Sequence, residues 1–141
     1  MPKIYRPNQL GLKPCLRSEK EIEDYLENHL DVIGEKTKMK LKLVGRQFST
    51  AVGPIDLLAI NENKNEYVVI ELKKSKSTDK VYGQCSRYMG WVRTNLAAKG
   101  AKVHGVIVAP EIDKKLKAAR DAHDTNVQLI EFRMKASASA V

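Results

Sequence analysis

The stretch Gly53-Pro-Ile-Asp-Leu-Leu-Ala-Ile-Asn-Glu-Asn-Lys-Asn-Glu-Tyr-Val-Val-Ile-Glu-Leu-Lys73 decides the architecture of this chain. Two nearly continuous apolar runs, residues 55–60 and 67–72, flank Asn61-Glu-Asn-Lys-Asn65, a segment rich in turn formers. Strands without polar alternation are covered on both faces, so the pattern predicts a hairpin inside a sheet. With Asn61 paired to Glu66 across the turn, counting back in register sets Asp56 opposite Glu71. Lys73 lies two positions beyond Glu71 and shares its face. Two acids and a lysine therefore gather at the end of an otherwise apolar hairpin.

Upstream, Ser18-Glu-Lys-Glu21 has the form of a capping box. Ile22, Tyr25, Leu26, His29, Leu30 and Ile33 recur at helical spacing, and Gly34 is the expected stop of a helix of about four turns. Met39, Leu41 and Leu43 then alternate with Lys38, Lys40 and Lys42, which describes a strand with one basic face near a sheet edge. Downstream, Ser77 or Thr78 is expected to cap a helix whose stripe is Val81, Cys85, Met89, Val92 and Leu96, with Gly100 beyond its end. Residues 103–109 read as a buried strand, 111–122 as a short lysine-rich helix and 127–132 as a last strand. The expected order is αβββαβαβ, an α/β fold with a mixed central sheet flanked by helices. Residues 1–17 are expected to be an extended segment, 18–133 one domain and 134–141 a flexible tail.

The 141 residues, 43% of them hydrophobic, suffice for a single core. No apolar run approaches the roughly 18–20 residues that span a bilayer, and the first residues lack a signal-peptide pattern, so a cytoplasmic protein without a membrane partner is expected. Cys15 and Cys85 stand far apart with no CxxC or His/Cys cluster, which argues against a disulfide framework or a zinc site. Lys and Arg number 25 against 17 Asp and Glu, a formal charge of +8 that favours a polyanionic partner. Acids cluster at Glu21, Glu23, Asp24, Glu27, Asp31 and Glu35; bases follow at Lys36, Lys38, Lys40, Lys42 and Arg46, and again at Lys73, Lys74, Lys76 and Lys80.

Burying two carboxylates side by side costs several kcal/mol unless a cation neutralises them, and a hard divalent ion suits oxygen ligands. Asp56 and Glu71, with the carbonyl of Leu72, imply Mg²⁺, with Mn²⁺ as a substitute. Such an ion lowers the pKa of a bound water, while Lys73 orients that water or offsets charge developing on a phosphate. The plainer reading of the same residues is a solvated aspartate and a Glu–Lys pair at a strand end.

Gly53-Pro-Ile-Asp56 followed by Glu71-Leu-Lys73 resembles the PD-(D/E)XK nuclease signature, and Gln84 and Tyr88, four apart on one helical face, resemble the QxxxY motif of RecB-like members. Residues 18–109 resemble the catalytic domain of the NucS/EndoMS endonuclease family. The resemblance implies a restriction-endonuclease-like core and a Mg²⁺-dependent deoxyribonuclease. Its expected work is structure-specific cutting in DNA repair or recombination, or a restriction or mobile-element role. It also implies Asp56 and Glu71 as metal-binding acids, Lys73 as the catalytic lysine, Gln84 and Tyr88 on the active-site helix, and Glu19 as an additional metal ligand. Ile55 interrupts the literal Pro-Asp pair. NucS-type proteins carry a further amino-terminal domain with no counterpart in these residues, so mismatch specificity is not implied. A homodimer would align two sites for double-strand cutting.

Lys74, Lys76, Lys80 and Arg87 flank the motif and are candidate phosphate contacts. Trp91 and Tyr88 could stack on a base, although core packing is the commoner use of such positions. His29, His104 and His123 are scattered and read as structural. The alternative function is a non-catalytic nucleic-acid-binding module that keeps the nuclease fold.

Overall fold

The structure is a computed structural model that describes residues 18–74, 79–123 and 126–133. The elements are α1 (Glu19–Glu27), α2 (Leu30–Thr37), β1 (Leu41–Thr50), β2 (Gly53–Asn61), β3 (Glu66–Leu72), α3 (Asp79–Asn95), β4 (Val103–Ala109), α4 (Lys114–Asp121) and β5 (Val127–Glu131). The five strands form one sheet in chain order, β1-β2-β3-β4-β5. β2 pairs antiparallel with β1 on one side and β3 on the other, whereas β3, β4 and β5 run parallel. Parallel neighbours need a crossover, and α3 and α4 supply the two. The mixed sheet flanked by helices is the expected fold class, with β1 at one edge as its basic alternation predicts.

The β2–β3 hairpin pairs Asn61 with Glu66 and keeps that register to Leu57 and Ile70. Each strand serves two cores. Leu58, Val69 and Ile107 join Val81, Cys85 and Met89 under α3, while Leu57, Val68, Ile70 and Leu72 join Ile22, Leu26 and Ile33 under α1 and α2. Alternation then directs Glu71, between Ile70 and Leu72, to the α3 side.

The expected single helix over residues 18–34 is two helices. The capping box at Ser18 forms, its hydroxyl accepting from the Glu21 amide while a Glu21 carboxylate oxygen accepts from the Ser18 amide. The helix ends at Asn28, whose side-chain amide donates to the Asp24 carbonyl, and His29 stacks on Tyr25 with centroids 4.0 Å apart. The apolar periodicity runs through this break because both helices lay the same face on the sheet. Gly34 is not the stop. It lies inside α2, and the chain leaves the helix at Lys38, which takes a left-handed φ of 59°. Gly34 answers to close approach instead, because a Cβ there would lie 2.5 Å from the Met39 carbonyl oxygen. The lysine-rich helix is also shorter than expected, starting at Lys114 under an Asp113 cap. The expected Ser77 or Thr78 cap, the 1–17 segment and the 134–141 tail lie outside the described residues.

α3 lies close to the sheet because residue 105 is glycine: a Cβ there would meet Met89 Sδ at 2.6 Å and Cys85 Sγ at 2.9 Å. The close approach brings the buried stripe of α3 onto β3 and β4.

Alanine ordinarily stabilises a helix interior by about 1 kcal/mol over glycine. At Gly34 the backbone contact reverses the sign, so Gly34→Ala is expected to destabilise the protein by about 1–3 kcal/mol in urea denaturation.

Candidate active site

Asp56 and Glu71 meet where the β2–β3 ladder stops. Beyond the Leu57–Ile70 pair, the amide of Asp56 donates to Glu71 Oε2 at 3.2 Å and the amide of Leu72 donates to Asp56 Oδ2 at 2.9 Å. Each acid thus satisfies a backbone donor at the strand end.

Glu71 is 1% exposed, and its second carboxylate oxygen has no hydrogen-bond partner among the described residues. Burial, reinforced by the charge of Asp56, pushes its pKa up to about 8. Burial also raises the Asp56 pKa, against the Leu72 amide, Gln47 and Lys73, which lower it. Lys73 is close enough to favour ionisation of both acids, yet among the described residues no lysine or arginine nitrogen lies within 4.0 Å of either carboxylate. Its own amide continues the parallel pairing to the Val108 carbonyl at 2.8 Å. A carboxylate pair of one buried and one half-buried acid, with an oxygen left over, fits a hard divalent cation.

Glu19 is exposed, and its charge helps raise the Asp56 pKa. It is not gathered with the pair as a third ligand: among the described residues no group of three His, Cys, Asp or Glu side chains is placed to hold a metal. The α1 acid that reaches the network is Glu23, 6% exposed, which accepts from Arg46 Nε at 2.9 Å and from Gln47 Nε2 at 2.9 and 3.1 Å. Gln47 Nε2 also lies 3.2 Å from Asp56 Oδ1. Arg46 further pairs with Asp24 at 2.6 Å and Glu27 at 2.9 Å. Sequence reasoning did not single out Gln47 or Arg46 for the site. The available signal was the Ala51-Val52 turn, which closes a β1–β2 hairpin and sets Gln47 beside Asp56 between the Arg46–Leu57 and Phe48–Ile55 pairs.

Gln84 is half-buried and Tyr88 is 2% exposed, one turn apart on α3. Tyr88 abuts Gly53, where a Cβ would lie 2.8 Å from its hydroxyl oxygen and where φ is +118°. The motif helix therefore touches the start of the acid-bearing strand. Arg87 is exposed with its guanidinium carbon 5.4 Å from the Tyr88 ring centroid, and Lys74 and Lys80 are exposed nearby in sequence. Lys76 lies outside the described residues. Trp91 packs edge-on against Phe48, centroids 6.4 Å apart, and is partly buried. The histidines are engaged elsewhere: His29 with the Tyr25 carbonyl, His104 with Glu66 and His123 with the Ala119 carbonyl. Cys85, on the α3 side of Glu71, has its pKa raised by burial and by that neighbouring charge. Among the described residues no helix is long and apolar enough to cross a membrane.

The sequence matches the family model described as "Endonuclease NucS C-terminal domain" over residues 18–138. An Endonuclease NucS of Corynebacterium aurimucosum is 36% identical over 113 residues, covering 79% of this chain and 44% of the relative. One of Bifidobacterium adolescentis is 31% identical over 123 residues, covering 87% and 50%. Among solved structures, a repair endonuclease from Pyrococcus abyssi superposes with a TM-score of 0.66 at 20% identity, covering 89% of this chain and 50% of that one. An EndoMS–dsDNA complex gives 0.67 at 19% identity, covering 93% and 52%. The chain spans about half the length of these relatives, and the structural likeness shows the shared fold.

An acid whose folded pKa exceeds its unfolded value favours folding while both states are protonated and loses that contribution as pH rises toward the folded pKa. For Glu71 the loss runs from about 4.5 to about 8. In chelator, stability is expected to fall across that window. Glu71→Gln, which keeps an acceptor for the Asp56 amide, should flatten the fall and raise stability near pH 8 by on the order of 1–3 kcal/mol in urea titrations.

Proposed function

Because the chain belongs to the Endonuclease NucS C-terminal domain family, we propose that it is the catalytic domain of a metal-dependent DNA endonuclease. The observation that carries this reading is the pairing of buried Glu71 with half-buried Asp56, with, among the described residues, no basic nitrogen inside ion-pair distance and one Glu71 oxygen left without a hydrogen-bond partner. A protein needing only the fold would be more stable with one of these acids neutral; a cation-binding site needs both. DNA as substrate is supported by the relatives, which are named as endonucleases and include a structure solved with double-stranded DNA.

In this reading Asp56 and Glu71 hold Mg²⁺ or Mn²⁺ together with the Leu72 carbonyl. The ion supplies acidification of water and a counter-charge for the phosphate. Lys73 reaches the same face and offsets negative charge that develops on the phosphoryl oxygens as water attacks phosphorus in line and the opposite ester oxygen leaves. Gln84 and Tyr88 shape the wall beside Gly53. Lys74, Lys80 and Arg87 bind flanking phosphates through charge, which adds affinity without sequence preference. A homodimer would present two such sites to the two strands.

The test is cleavage of labelled duplex, branched, mismatched and single-stranded DNA with Mg²⁺, Mn²⁺ or chelator. The unaltered chain is expected to cut only with metal. Asp56→Asn and Lys73→Ala should each lose at least ~10²-fold in rate while retaining DNA binding. Binding by the unaltered protein with no metal-dependent cutting of any substrate would instead establish a binding module. In the same binding assay, Arg87→Gln should lower the salt slope by about one ion.

A further inference from the structure

Gln47 is a non-glycine residue in the left-handed region, with φ 46°, inside a strand. Such conformations persist where surrounding contacts over-determine them, and they concentrate at functional sites. The contacts here are specific. One side-chain nitrogen lies 2.9 and 3.1 Å from the two oxygens of Glu23 and 3.2 Å from Asp56 Oδ1. An amide nitrogen carries two hydrogens, so one can be shared by the Glu23 carboxylate while the other reaches Asp56. Glu23 is itself fixed by Arg46. The result is a relay, Arg46 to Glu23 to Gln47 to Asp56, that passes from β1 to α1, back to β1 and on to β2.

The chemistry of the last link matters. Asp56 Oδ2 is held by the Leu72 amide and Oδ1 by the Gln47 amide, so both donors to this carboxylate are neutral. A lysine or arginine in the place of Gln47 would orient Asp56 equally well but would also neutralise it and compete with a divalent cation. The positive charge in the relay is kept one carboxylate away, on Arg46, where it balances Glu23 and two other α1 acids.

We propose that Gln47 is a positioning residue for the metal-binding carboxylate Asp56, fixing its direction through a neutral donor that Glu23 and Arg46 hold in place. The inference rests on the nuclease reading above.

The test is calorimetric titration of Mn²⁺ into the full chain, alongside thermal melts in chelator and DNA-cleavage kinetics. Gln47→Gly removes the amide and suits the left-handed backbone, so the melting temperature should hold or rise. The Mn²⁺ dissociation constant should increase about 10-fold, the lower end of what loss of a partner behind a metal ligand typically costs. kcat should fall with KM for DNA little changed. Gln47→Met removes the donor at similar volume and repeats the titration should the glycine variant fail to fold. Gln47→Lys should weaken Mn²⁺ binding more than either. Mn²⁺ affinity within two-fold of the unaltered chain in the folded Gly or Met variant overturns the inference, whatever the melting temperature does. Absence of Mn²⁺ binding by the unaltered chain overturns the metal reading itself, and this inference with it.

Discussion

Two crossed hydrogen bonds at the end of the β2–β3 ladder organise this molecule: the Asp56 amide to Glu71, and the Leu72 amide to Asp56. The acids do there what the next ladder pair would otherwise do, satisfying backbone donors at the strand end. Neither can be withdrawn without leaving a donor unpaired, so the local structure keeps together two acids that repel each other whenever both are ionised. Apolar burial on both sides of the sheet holds the strands in the register this needs. Leu57 and Ile70, the last paired residues before the acids, are completely buried under α1 and α2.

Around this clasp the two faces have different tasks. α3 covers Glu71, made possible by Gly105, and brings Tyr88 against Gly53. α1 faces the site from the other side through an ion cluster in which Arg46 serves Glu23, Asp24 and Glu27 at once. Clusters of this kind add little net stability relative to apolar packing, because desolvation offsets much of the Coulomb gain. Their value is geometric: they fix where α1 stands against β1, which apolar contacts alone specify less sharply.

What could be read from the sequence follows from how local each signal is. The hairpin register depends on a short turn and two runs that only fit one way, so the sequence sets Asp56 opposite Glu71, and in the structure the two meet just beyond the last ladder pair. The α3 stripe from Val81 to Val92 is equally legible, since one periodicity specifies one buried face. The break at Asn28 is hidden because side-chain bonds to the preceding turn end α1 without disturbing the apolar period. Gly34 misleads for a related reason: a glycine required by close packing looks the same in sequence as one required by a helix end. The Gln47 link was out of reach because its conformation, and the shift in β1 pairing between Leu43 and Gly45, depend on partners more than twenty residues away in α1 as well as on β2.

Cys85 shows one more result of placing an acid beneath a helix. Thiol reagents and peroxides react with thiolate, and the burial and negative neighbour that raise the Cys85 pKa keep this sulfur protonated and out of contact with solvent. Oxidants can reach it only when α3 lifts from the sheet. Its chemical modification therefore records how often the motif helix separates from the strands, making the sulfur an internal recorder of opening events in the fold.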